Sequence, residues 1–161
     1  MRVVEEFSSQ DQLAGLDEAA RAVVAGRVGA VLSGGNTPEA DRRAAELLAH
    51  DLARDAIERV RRALSDAVKH AAHLPRPLAM MMAHDVDSVA CPFLEVTEVF
   101  SETDWRSLVL TISRGARIAV ARRTNMPDSL ACSLAELGDS IVAETLVGNT
   151  SAPMTAAVCD T

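Results

Sequence analysis

The sequence predicts an all-α protein, a short α-solenoid of antiparallel helix hairpins with an added N-terminal helix. Three observations carry that expectation. Aromatic residues are only 2% of the 161-residue chain, with no Tyr and a single Trp105, so Ala, Leu and Val fill the core and favour close-packed helices over a sheet. Apolar residues recur at helical spacing between Gly, Pro and Asp punctuation, and no stretch alternates convincingly as a strand would. The tripeptide Ala-His-Asp occurs at 49–51 and again at 83–85, an offset of 34 residues inside the range of helical repeats.

The first helix is expected from about Gln10 to Leu32, with Leu13, Leu16, Ala20, Val23, Val24, Val28 and Val31 as its apolar stripe. "SGGN" stops it, and Thr37 with Pro38 suits the start of the next helix. That helix runs towards His50, bends near "HDLARD" and resumes to about His73, where "HLPRP" interrupts it. "LAMMMAH" is helical again, and Asp85 or Asp87 caps a helix over "SVACPFLEV", with Pro92 in its first turns or at a kink. "SETD" at 101–104 reads as a capping box of Ser101 and Asp104 ahead of "WRSLVLTIS". "RG" at 114–115 breaks the chain before "ARIAVARR". "NMPDSLACSLAELG" closes on Gly138, Asp139 opens "SIVAETLVGN", and "SAP" precedes a last short helix.

Residues 1–36 thus form an N-terminal helix, a cap or dimerisation element, and residues 37–161 a repeat domain. At the turns, Asp51, Asp85 and Asp139 read as structural caps, whose carboxylates accept free amides at the start of the next helix for about 1 kcal/mol each.

The stretch from about Leu47 to Thr155 resembles an uncharacterised bacterial domain family with HEAT-like helical repeats. The resemblance is carried by "LPRPLAMMMAHDVDSVACPFLE", by "IAVARR" at 118–123 and by "LGDSIVAETLVGNTSA" at 137–152. It covers roughly two-thirds of the chain. It implies a HEAT-like α-solenoid and supplies neither an activity nor catalytic residues.

The chemistry-bearing residue types read mostly as structure. His50-Asp51 and His84-Asp85 lack a placed nucleophile, and neighbours in a turn seldom form a base-and-orienter pair. Asp66, His70 and His73 share a helical face, but no second ligand segment completes a zinc site, so no catalytic residue, metal or cofactor is expected. Cys91, Cys132 and Cys159 fit no metal spacing and read as small buried hydrophobes. Among Met80, Met81 and Met82, most are expected in the core.

The arginines are densest at Arg59, Arg61 and Arg62 and at Arg114, Arg117, Arg122 and Arg123. The second group, with Trp105, is the expected partner-binding set. Against it stands pairing with local carboxylates along solvated faces.

The formal charge of −7 weighs against nucleic acid and anionic membrane as partners. The opening "MRVVEEFSSQ" is too acidic for a secretory signal, and no apolar run approaches the roughly 20 residues of a membrane span, so a cytoplasmic protein is expected. The function expected is a non-enzymatic protein–protein interaction module in bacterial signalling or regulation. One alternative is nucleic-acid or phosphate binding through an arginine-bearing concave face; another is an enzyme or chromophore-handling helical-repeat protein. The Val-rich N-terminal helix, if left uncovered, predicts homo-oligomerisation.

Overall fold

The structure, a computed structural model, describes residues 13–153. Every regular element with both ends among these residues is an α-helix: α1 Glu18–Ser33, α2 Glu39–Leu52, α3 Glu58–Val68, α4 Arg76–Ala83, α5 Asp87–Leu94, α6 Glu102–Thr111, α7 Arg114–Ala121, α8 Asp128–Ala135 and α9 Ser140–Gly148. The fold is all-α and repeat-like. The chain groups into two compact units, Met1–Met82 and Ala83–Thr161, and the described part of the helix that the sequence sets apart as residues 1–36 packs inside the first. The start of that helix near Gln10, Cys159 and the helix expected after "SAP" lie outside the described residues.

In the first unit α1 lies along α3 and α2. It begins at Glu18, because Asp17 accepts the Ala20 amide at 2.8 Å and caps a new helix after the turn at 15–16. Val24, Ala25, Val28, Gly29 and Leu32 are buried, whereas Val23 stays 56% exposed. Of the expected apolar stripe, Leu13, Val24 and Val28 are buried and Leu16, Ala20 and Val31 half-buried. Gly29 permits the close approach: an added Cβ would meet the Ala67 side chain and lie 2.8 Å from its carbonyl carbon.

Thr37 works backwards, its hydroxyl donating to the Val31 carbonyl at 3.0 Å at the end of α1, so the N-cap of α2 is Pro38 without a side-chain cap. Helix α3 stops at Val68, five residues short of His73.

The second unit contains α5 to α9. Helices α5, α7 and α9 contact one another in series, and α6 packs on α8. Ser101 and Asp104 form the expected capping box, with Ser101 Oγ accepting the Asp104 amide at 3.2 Å and Asp104 Oδ2 accepting the Ser101 amide at 3.1 Å. Ser113 caps α7, so Gly115 lies within that helix instead of breaking the chain. A Cβ there would sit 2.7 Å from the Asp87 carboxyl carbon. Gly138, at a φ of 66°, makes the left-handed turn into Asp139, the N-cap of α9. Pro92 lies inside α5.

The repeat is not 34 residues long. Burial recurs every 26, the same separation that joins Asp87 to Ser113 and Arg123 to Asn149 by hydrogen bonds. Met82, Leu108 and Leu134 are fully buried at one position of this register. Leu94, Val120 and Leu146 are buried at a second, Ala90, Ala116 and Val142 at a third, and Leu74, Phe100, Met126 and Ala152 at a fourth. Leu48, Leu64 and Val68 continue the register towards the N-terminus.

A 26-residue unit is shorter than the roughly 40–47 residues of HEAT and armadillo repeats, and helices of eight to ten residues account for it. Ala-His-Asp falls at different register positions in its two copies, so its recurrence is not the repeat.

Candidate functional site

The expected partner-binding residues all belong to the second unit, but they do not form one cluster. Trp105 is buried at the start of α6, where Phe100 meets it edge-on at 5.1 Å and itself meets Phe93 at 6.2 Å. Arg123 lies over the indole, its guanidinium carbon 4.8 Å from the ring centroid, and is only 4% exposed. Its Nη1 donates to the Leu94 carbonyl at 2.5 Å, at the end of α5. Burial pushes the Arg123 guanidinium below its ordinary value, with Glu98 acting in the opposite sense.

The other arginines do different work. Arg114 holds Asp139 through two hydrogen bonds, Nε to Oδ2 at 2.7 Å and Nη2 to Oδ1 at 2.8 Å. That guanidinium is the main reason the Asp139 carboxyl sits below its usual value, and the Val142 and Ile141 amides add to it. Arg117 donates to the Val109 carbonyl at 2.7 Å and to the Leu110 carbonyl at 3.0 Å, at the end of α6. The Arg122 side chain is exposed and, among the described residues, forms neither a hydrogen bond nor an ion pair. Most of this arginine group therefore closes helix ends.

Of the three aspartates expected as turn caps, Asp139 is an N-cap. Asp51 is inside the last turn of α2 and lines a shallow pocket of about 200 Å³ with Arg21 and Asp55. At that turn Asp55 accepts the amide of Ile57, the N-cap residue of α3, at 2.9 Å. Asp85 precedes the N-cap residue Val86 and accepts the Val86 amide at 2.7 Å. Asp87, one residue inside α5, instead accepts a hydrogen bond from Ser113.

His84 contacts Thr111 Oγ1 through Nε2 at 2.9 Å. Asp66 pairs with Lys69 at 3.1 Å, and His70 and His73 are exposed beyond the end of α3. Among the described residues no three His, Cys, Asp or Glu side chains group as metal ligands. Cys91 and Cys132 are free and half-buried, and burial, with Asp87 and Glu95, raises the Cys91 thiol above its ordinary value while Arg122 opposes the shift.

The same register positions define an outer strip on α5, α7 and α9. Cys91, Arg117 and Ala143 share one position of it, Pro92, Ile118 and Glu144 the next, and Val96, Arg122 and Gly148 another; all are half or fully exposed. Val147 adds a 63% exposed apolar side chain on α9. The strip combines apolar side chains with charge at Glu95, Arg117, Arg122 and Glu144.

Residues 89–160 match the model of a family described as an uncharacterised protein conserved in bacteria (DUF2336). The match covers nearly all of α5 and everything through α9, a narrower span than the Leu47–Thr155 resemblance. The matched segment contains Trp105, Arg114, Arg117, Arg122, Arg123 and Asp139. No curated protein and no solved structure matches the chain. No helix among the described residues is long and apolar enough to cross a membrane.

Proposed function

We propose that the DUF2336 segment is a non-enzymatic protein-docking module, a small HEAT-like α-solenoid whose partner lies along the outer strip of α5, α7 and α9. The observation that carries the reading is that strip. Successive helices present half-exposed Pro92, Ile118 and Ala143 at neighbouring register positions, with exposed Val96 and Val147 beside them. Repeated helix pairs of this kind offer extended surfaces to partners, and an apolar strip edged by a few charges is the chemistry of a protein interface.

The charge of the unit supports a protein partner over a nucleic acid. Residues 83–161 contain eleven carboxylates against five arginines, so a polyanion meets a repulsive field. For phosphate binding the arginine group offers, among the described residues, one exposed side chain without an ion pair, Arg122. The reading places the module in bacterial regulation, in the cytoplasm.

The test is affinity capture from native lysate with wild type and with the double variant Val96→Asp/Val147→Asp, both sites being exposed enough to accept charge without unfolding. A specific protein held by wild type and by a Leu47→Asp control, and lost by the double variant, supports docking on this strip. Equal capture by the double variant, or no protein captured at all, contradicts it.

A further inference from the structure

One register position is occupied by Thr97, Arg123 and Asn149 in successive repeats. Asn149 shows what the position does structurally: its Nδ2 donates to the Ala121 carbonyl at 2.9 Å and to the Arg123 carbonyl at 2.8 Å, tying down the end of α7. A short neutral amide is enough for that task. Arg123 performs it with a single bond to the Leu94 carbonyl, and its buried Nε has no hydrogen-bond partner. Among the described residues its charge has no ion-pair partner, and Glu98 acts on it only from a distance. A buried, unpaired guanidinium is a poor way to stabilise a helix end, since desolvation of the charge is offset only by the indole face and one carbonyl.

Arg123 lines a pocket of about 250 Å³ together with Trp105, Phe100, Glu98, Glu102 and Asn125. The pocket supplies three chemistries side by side. The guanidinium calls for an anion of carboxylate size. The carboxylates of Glu98 and Glu102 call for a cation and repel a multiply charged phosphate. Phe100 and Trp105 provide an apolar wall.

We infer that this pocket binds a free α-amino acid, its carboxylate on Arg123, its ammonium towards Glu98 and Glu102, and an apolar side chain against Phe100. The inference stands independently of the docking strip, because the pocket is built from α6 and the two loops at 95–101 and 122–127. It gives the module a small-molecule input, with the amino acid completing the charge balance around Arg123.

Trp105 is the only tryptophan and the chain has no tyrosine, so intrinsic fluorescence reports from this pocket alone. The experiment titrates the full chain with each proteinogenic L-amino acid other than Trp and Tyr, with acetate, methylammonium and inorganic phosphate as partial mimics. Expected is a saturable change in Trp105 emission for at least one amino acid, and none for the mimics at the same concentration. Arg123→Asn, which copies Asn149, should weaken that response at least about tenfold while the thermal midpoint by circular dichroism stays near wild type. Glu98→Gln keeps the acceptor for Asn125 Nδ2 and should also weaken it, which serves if Arg123→Asn fails to fold. Silence towards every amino acid, a stronger response to phosphate or acetate, or undiminished binding by either folded variant would overturn the inference.

Discussion

The two units solve the same packing problem differently. In the first, helices of 16, 14 and 11 residues meet over long contacts, and the tightest approach depends on one glycine, Gly29 against Ala67. In the second, helices of 8–10 residues are too short to be stable alone, and six of their ends are closed by specific polar groups: Ser101, Ser113 and Asp139 at the N-termini of α6, α7 and α9, and Arg123, Arg117 and Asn149 at the C-termini of α5, α6 and α7. The difference also shows in charge. Residues 1–82 hold eleven basic against twelve acidic residues and are nearly neutral, while residues 83–161 are strongly acidic. Arg114 and Arg117 are spent on helix ends, which leaves Arg122 and the unpaired charge of Arg123 as the members of the arginine group open to a ligand.

The largest expected effect strikes the repeat core. Leu108→Ala and Leu134→Ala remove equivalent, fully buried side chains, and each should cost about 2–5 kcal/mol in chemical denaturation. Similar costs at the two sites sharpen the 26-residue register; a negligible cost at either would break it.

In the first unit the contrast is between two glycines of one helix. Gly29→Ala forces a methyl against the Ala67 backbone and should destabilise by about 1–3 kcal/mol. Gly26→Ala has open space and should instead stabilise α1 by up to about 1 kcal/mol. Thermal melts of the two variants should therefore move in opposite directions.

The smallest effect is the Arg114–Asp139 link, on the surface. The folded Asp139 carboxyl lies below its usual 3.8, so its contribution is complete above that value and is lost as pH falls through the lower, folded value. The difference in melting temperature between wild type and Arg114→Ala should be constant near neutrality and close in acid. A difference that widens in acid would contradict the assignment.

What the sequence revealed was local. The Ser101–Asp104 box, Gly138 and Asp139 were legible because the residues that act are within three positions of the atoms they serve. The register was not legible, since its positions repeat only a property. Leu74, Phe100, Met126 and Ala152 share burial and little else, whereas the literal Ala-His-Asp repeat marks no common place in the fold. Thr37 misled because a hydroxyl between two helices can serve either end, and it serves the carbonyls behind it. The arginines misled because their reach lets them cross a turn to a backbone carbonyl, as Arg117 does to Val109. Composition identifies a basic segment, and only geometry says whether its charges are already used.

The most direct test of the account is tandem duplication of residues 100–125, which inserts one complete register unit. The expected product has greater helical circular dichroism than wild type, still unfolds in one cooperative transition and keeps a native-like Trp105 emission from both copies. A parallel insertion of 34 residues, duplicating 92–125, should disrupt the stack and lose cooperativity. If the longer insertion is accepted and the 26-residue one yields an aggregated or non-cooperative chain, the register is wrong, and the outer strip of α5, α7 and α9 that rests on it falls too.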